Sequence, residues 1–172
     1  MGELDAWKHC PRCGGPLEGR DGSSVECSNC GFRYYASSKP TASGLVLDDE
    51  GRILLARRAR EPDEGKWDLP GGFLEEGEDP RDALRRELEE ETGLAVERVE
   101  FFDVVVDRYG DGEDAQSTLN LYWTCRVVSG EPKPDDDVAE LRWFARDELP
   151  AREELAFRNN AAVLSRWRDE HA

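Results

Sequence analysis

Residues 79–93 constrain this chain more tightly than any other stretch. Asp79 can cap a helix, Pro80 suits the first helical position, where a fixed φ and a missing N–H cost nothing, and Gly93 supplies a left-handed stop. The spacing predicts a helix over Pro80–Thr92. Successive helical residues lie about 100° apart, so with Glu87 at zero, Glu91 falls near ~40° and Glu90 near ~300°. Three carboxylates therefore share one face, while Glu89 points elsewhere. Leu84 and Leu88 occupy the edge beside them and bury it. Crowded carboxylates repel, and a hard cation bound through oxygen, as Mg²⁺ prefers, relieves that repulsion. A solvated glutamate-rich face with i,i+4 arginine pairs is the competing account. The run Trp67-Asp68-Leu69-Pro70-Gly71-Gly72, together with the caps, weighs against it by fixing where the helix starts.

A second signal lies upstream. Cys10-Pro-Arg-Cys13 and Cys27-Ser-Asn-Cys30 are C-x-x-C pairs separated by 13 residues, each followed by a glycine, Gly14 and Gly31. A two-residue gap lets one tight turn present two sulfurs to Zn²⁺, and the glycine allows the positive φ the turn needs. Four thiolates leave no open coordination position, so the expected Zn²⁺ is structural and residues 1–37 read as a zinc ribbon. Disulfides fit a reducing compartment poorly, and a redox C-x-x-C would want a βαβ setting. His9 reads as a bystander and Cys125 as core.

The 172 residues suffice for one ordinary domain besides such a module, here residues 41–172. Hydrophobic residues make up 38% and charged residues 36%, enough apolar sequence for one core. No apolar run approaches the ~20 residues of a membrane span, and Met1–His9 lacks the basic start and apolar stretch of a secretion signal. The expectation is a cytoplasmic protein. Net charge is −16. Residues 1–39 carry five basic and five acidic side chains, so the excess lies entirely in residues 40–172. That surface repels nucleic-acid backbones. A phosphorylated small molecule can still bind if metal ions stand between the two.

Ser37-Ser38-Lys39-Pro40 reads as a linker. Thr41–Leu47 and Arg52–Arg57 read as strands joined by an acidic turn ending in Gly51. Val99–Asp107, Ser117–Val128 and Val138–Ala145 are further strands, with a polar loop over Tyr109–Ala115 (Gly110, Asp111, Gly112). Phe157–Glu170 reads as a terminal helix with Ala161, Leu164 and Trp167 inward. Helices interleaved with strands predict an α+β fold, a mixed sheet with helices packed on it.

Gly72, Glu78 and Arg86-Glu87-Leu88-x-Glu90-Glu91-x-Gly93-Leu94 match every fixed position of the Nudix box, and the chain resembles the Nudix hydrolase family. The preceding Trp67-x-Leu69-Pro70-Gly71-Gly72 and the later Arg142-Trp143-Phe144 resemble the family as well. A ribbon in front is similar to the group that includes NADH and ADP-ribose pyrophosphatases. The resemblance implies an α/β/α sandwich and a Mg²⁺- or Mn²⁺-dependent pyrophosphohydrolase acting on phosphorus-containing acid anhydrides. Its substrate would be a nucleoside diphosphate linked to another moiety. It also implies that Glu87, Glu90 and Glu91 bind metal together with the Gly72 carbonyl, and that Glu78 pairs with Arg86. A homodimer is common among proteins resembling this one. The general base in the family is a box glutamate, here Glu90 or Glu91, or an acid on a later loop, here Asp135, Asp136, Asp137 or Glu140. An exposed turn is the plain account of that acidic run.

Arg57 and Arg58 can meet substrate phosphates or simply form surface ion pairs. Tyr109, Trp123 and Phe157 can stack on a base or pack internally. The Ser-Gln-Pro-Trp-Pro-Phe-Pro segment shared by NADH pyrophosphatases is absent after Leu94, where the chain reads Ala95-Val96-Glu97-Arg98-Val99. ADP-ribose or a nucleotide sugar is therefore the expected substrate, ahead of NADH- or FAD-type dinucleotides and nucleoside triphosphates. A catalytically inert regulator that binds a nucleotide or DNA is the alternative of a different class. Arg12, Arg20, Arg33 and Lys39 are balanced by acids, and no box glutamate is missing. Cleavage of a cap from RNA would need a positive track that the sequence lacks.

Overall fold

The computed structural model describes residues 3–20, 23–110, 115–135 and 137–170. Asp111 and Gly112 of the expected loop, and Asp136 among the loop acids, lie outside the described residues.

Two sheets organise the chain. The first is a small antiparallel sheet of β1 (Leu17–Arg20), β2 (Ser24–Cys27) and β3 (Arg33–Tyr35) in that order. Each cysteine pair ends in a glycine turn: Gly14 and Gly31 both have φ of 70° and donate their N–H groups to the carbonyls of Cys10 and Cys27.

The second sheet has seven strands. Its path runs β10 (Val138–Phe144), β5 (Ile53–Arg58), β4 (Lys39–Leu47), β9 (Gln116–Ser129), β8 (Ala95–Tyr109). The short β6 (Trp67–Asp68) pairs with β5, and β7 (Gly71–Phe73) with β4. The β4–β9 pair is parallel and the other pairings are antiparallel, so the sheet is mixed.

Strand alternation sends successive side chains to opposite faces. From β4, β5 and β9, Ala42, Val46, Leu54, Trp123 and Cys125 pack with Leu84 and Leu88 of α1 (Pro80–Thr92). Leu45, Ile53, Leu55 and Tyr122 go the other way, against Val163, Leu164 and Trp167 of α2 (Arg158–Glu170). The result is the expected α/β/α sandwich. Trp123, 4% exposed, is part of the core under α1 and is removed from the base-stacking candidates. Cys125 is buried there too, and burial pushes its thiol up to about 12.

Several elements differ from the sequence reading. The expected linker is half strand: Lys39 and Pro40 already pair with Thr118 and Leu119 of β9. β8 starts at Ala95, four residues before the expected Val99, because Ala95 and Val96 find partners in Ser129 and Val127. β8 is also an edge strand, and the N–H groups of Val104 and Arg108 are taken by the side chains of Asp103 and Asp107.

Candidate active site

α1 begins and ends as its caps require. Asp79 is extended (φ −69°, ψ 133°) and accepts from the Arg81 N–H, while Gly93 (φ 69°) donates to the Glu89 carbonyl. Between β7 and this helix runs a loop that Arg86 ties down. Its guanidinium donates from Nε and Nη2 to the two oxygens of Glu78, both at 2.9 Å. Nη1 donates to Glu87 at 2.8 Å and to Glu90 at 3.2 Å. The Arg86 bonds, with a further N–H from Glu75, hold the Glu78 carboxyl down at about 2.

The three box glutamates are not equivalent. Glu90 is 60% exposed on the outer side of the helix. Glu87 and Glu91 line a cavity of about 370 Å³. Burial pushes the Glu91 carboxyl up to about 8, against the Gly71 N–H that donates to its Oε2 at 2.8 Å. Burial also raises Glu87, against the opposing effect of Arg86. Gly71 and Gly72 permit this approach. A Cβ at Gly71 would strike the Ala42 carbonyl of β4, and one at Gly72 would strike the Glu87 carboxylate. Carboxylate oxygens beside the Gly71-Gly72 backbone are the donor chemistry that suits Mg²⁺ or Mn²⁺.

Arg58 lines the same cavity, and its guanidinium donates to the Pro62 carbonyl and to Asp68. It lies over the Phe157 ring at 5.0 Å. Tyr109 and Phe157 both line the cavity, their ring centroids 5.5 Å apart, and Phe73 meets Tyr109 edge-on. Arg57, the other expected phosphate contact, and Glu140, a candidate loop acid, are not among the lining residues. Alternation along β5 turns Arg57 away from Arg58, and it pairs with Glu140 across β10 at 3.5 Å. Of the described loop acids, Asp137 reaches the lining, where it pairs with Arg60 at 2.7 Å. Asp135 and Glu140 do not.

Sequence reading missed the polar floor of this cavity. Thr41 donates to Asn120, Asn120 donates to Thr118, and Asn160 donates to Asp68 at 2.7 Å. One cue was present in the sequence. Thr118 and Asn120 alternate with apolar residues inside a strand, which places amide and hydroxyl groups on a face that must be buried.

The four ribbon cysteines form a separate cluster whose sulfurs all lie within 4.8 Å of one another. Cys10–Cys30 and Cys13–Cys27 Sγ separations are 3.7 and 3.6 Å. A tetrahedral ion with Zn–S bonds of ~2.3 Å needs about 3.8 Å, so the cluster fits Zn²⁺. The Gly15 N–H, then the Asn29 amide, draw the Cys13 thiol down to about 6, toward the thiolate a metal requires. His9 is not in the cluster.

Comparison with known proteins agrees with this geometry. An ADP-ribose pyrophosphatase from Methanocaldococcus jannaschii is 31% identical over 140 residues, covering 80% of this chain and 79% of that protein. A NAD-capped RNA hydrolase, NudC, from Vibrio parahaemolyticus is 28% identical over 145 residues, 83% of this chain. This chain spans about half the length of that relative, 53%. The crystal structure of a NUDIX hydrolase from Nitrosomonas europaea superposes with a TM-score of 0.78 at 28% identity, covering 95% of this chain and 91% of that one. The NUDIX domain profile matches residues 37–167, taking in α1, most of α2 and every strand of the large sheet. With box, sandwich and profile in agreement, the chain belongs to the NUDIX family of hydrolases.

Proposed function

We propose that the chain hydrolyses the diphosphate of a nucleoside diphosphate linked to another moiety, with ADP-ribose or a nucleotide sugar as substrate. The observation that carries this reading is one cavity lined by Glu87, Glu91, the Gly71-Gly72 turn and Arg58. Hydrolases of this family use divalent metals. Glu87, Glu90, Glu91 and the Gly72 carbonyl are the residues to hold Mg²⁺ or Mn²⁺ here. When bound, such ions neutralise diphosphate charge and lower the pKa of attacking water.

The chain's own residues supply the rest. Arg58 takes a phosphoryl oxygen, and Tyr109 and Phe157 offer ring faces to the nucleoside. The Glu78–Arg86 pair keeps loop and helix in register. Glu90 or Glu91 is the box glutamate to accept the proton of the attacking water, Glu91 from the cavity lining, and Asp137 is the loop alternative. The ribbon of residues 1–37 holds a structural Zn²⁺ in front of a hydrolase domain of residues 41–172. Five thiols free of disulfides suit a reducing, cytoplasmic setting.

A dinucleotide substrate is the second reading, favoured by the similarity to a NAD-capped RNA hydrolase. The test offers ADP-ribose, NADH, FAD and nucleoside triphosphates to the purified protein with Mg²⁺ and identifies the products. ADP-ribose should yield AMP and ribose 5-phosphate, and Glu91→Gln should abolish turnover while keeping the fold. No cleavage of any diphosphate under any divalent metal overturns the enzyme reading. A fully active Glu91→Gln overturns the metal assignment.

A further inference from the structure

One largely buried carboxylate in the cavity has no place in the chemistry above. Asp68 lies on β6, directly before the Leu69-Pro70-Gly71-Gly72 turn, with a side chain only 18% exposed. Its partners are specific. Oδ2 accepts from Arg58 Nη1 at 3.0 Å, and Oδ1 accepts from Asn160 Nδ2 at 2.7 Å.

The topology explains why these groups meet. In the β5–β6 hairpin Ala56 stands opposite Asp68, and the Arg58 N–H donates to the Lys66 carbonyl. Arg58 and Asp68 therefore share one face as diagonal neighbours, a separation that only a long side chain bridges. Asn160 comes from the first turn of α2, on the far side of the sheet. Three elements thus converge on one carboxylate: the strand with the arginine, the strand entering the glycine turn, and the terminal helix.

Burying a charge to hold another charge is an expensive way to fasten a sheet. A well-packed apolar pair fastens it as well or better. What the pair gives that an apolar contact does not is a fixed guanidinium. Arg58 is held at Nε by the Pro62 carbonyl, at Nη1 by Asp68 and on its face by Phe157. The Tyr109 hydroxyl is a further hydrogen-bond partner of the fork, so an anion entering the cavity meets a guanidinium whose direction is already set. Without Asp68, a flexible arginine side chain at the mouth of an acidic cavity would be drawn to the carboxylates of Glu87 or Glu91 instead.

We propose that Asp68, braced by Asn160, is a positioning residue that aims Arg58 at the diphosphate and keeps it off the metal-binding glutamates. This rests on the hydrolase reading, with Arg58 as the phosphate contact. Asp68 itself touches neither the substrate nor the metal.

The experiment measures kcat and KM for ADP-ribose with saturating Mg²⁺ in wild type, Asp68→Asn, Arg58→Gln and the double variant, with melting temperatures alongside. Loss of a charge-assisted contact predicts that Asp68→Asn raises KM about tenfold, with kcat changed by less than about twofold. Arg58→Gln should raise KM at least as much, and the double variant should be no worse than Arg58→Gln alone. Multiplicative KM effects, a wild-type KM in Asp68→Asn, or a loss confined to melting temperature would overturn the proposal. So would an Arg58→Gln enzyme with unchanged KM. If Asp68→Asn does not fold, Asn160→Ala, which frees Oδ1 alone, takes its place. A KM rise of several-fold is expected there, and an unchanged KM refutes the bracing. Failure of the wild type to cleave any diphosphate is a different result, and it strikes the hydrolase reading itself.

Discussion

The Gly71 N–H donates to Oε2 of Glu91 at 2.8 Å, a single bond that joins the turn before the helix to the helix's last turn. Residues 20 apart in sequence are thereby held across the mouth of the cavity. The neighbouring Gly72 stands so close to the Glu87 carboxylate that no side chain fits between them. Backbone and carboxylates form one rigid unit, and the two glycines fail in different ways when replaced.

Gly72→Ala forces Glu87 to swing aside while leaving the sheet intact. A displacement on the order of 1 Å at a reacting centre costs about 10²-fold in rate. Steady-state kinetics should show that loss with a melting temperature close to wild type. Gly71→Ala meets backbone instead, at a φ of 143°. It should destabilise by about 2 kcal/mol or more, visible as a lower denaturation midpoint.

The raised Glu91 carboxyl makes stability fall with rising pH. The folded protein holds this proton up to about 8, whereas an unfolded chain releases it near the ordinary 4.5. Folding therefore gains stability as pH drops below about 8, and the gain is complete near 4.5. Burial raises Asp68 in the same sense, against Arg58 and Asn160. Urea midpoints in Mg²⁺-free buffer should be higher at pH 6 than at pH 8. Saturating Mg²⁺, which binds the ionised form, should shrink or reverse that difference.

Arg86→Lys removes the fork that Glu78 accepts at both oxygens while keeping the charge. Lysine is a point donor and cannot serve Glu78 and Glu87 together. Activity should fall by about tenfold or more, the usual effect of losing support behind metal ligands, and the apparent Mg²⁺ affinity should weaken. The depressed Glu78 carboxyl contributes stability above its ordinary value of 4.5, lost as pH falls toward about 2. Acid titration should therefore unfold Glu78→Gln and wild type with different slopes below pH 4.5.

Thiol reactivity separates the two classes of cysteine. With Zn²⁺ bound, none of the five should react quickly with a disulfide reagent. After chelation, Cys10, Cys13, Cys27 and Cys30 should titrate, while Cys125, buried with its thiol pushed up to about 12, should wait for denaturant. Four fast thiols in the untreated protein would count against a metal-filled ribbon.

The helix was legible to the residue because its signals are local: a capping aspartate, a proline and a terminal glycine set its ends without reference to anything distant. β6 and β7 were not, since two or three residues carry no periodicity. Their pairing depends on β5 and β4 being already in place. From sequence, Arg57 and Arg58 were equal candidates for the phosphates; β5 running through both turns them to opposite faces, and which face becomes the cavity is decided by where α2 lands. Asp68 and Asn160 were out of reach for the same reason. Ninety-two residues separate them, and only the folded sandwich brings amide to carboxylate.

Asp103 and Asp107 give the outer strand a further property. By turning back onto the N–H groups of Val104 and Arg108, they occupy donors that an incoming chain would need in order to extend the ladder. Their other oxygens hold Arg166 and the Asn159 N–H of the terminal helix. The last strand thus ends the sheet and fastens α2 to it with the same two side chains. A chain that lost both aspartates would hold α2 less firmly and, beside it, present a fifteen-residue edge open to any strand that came near.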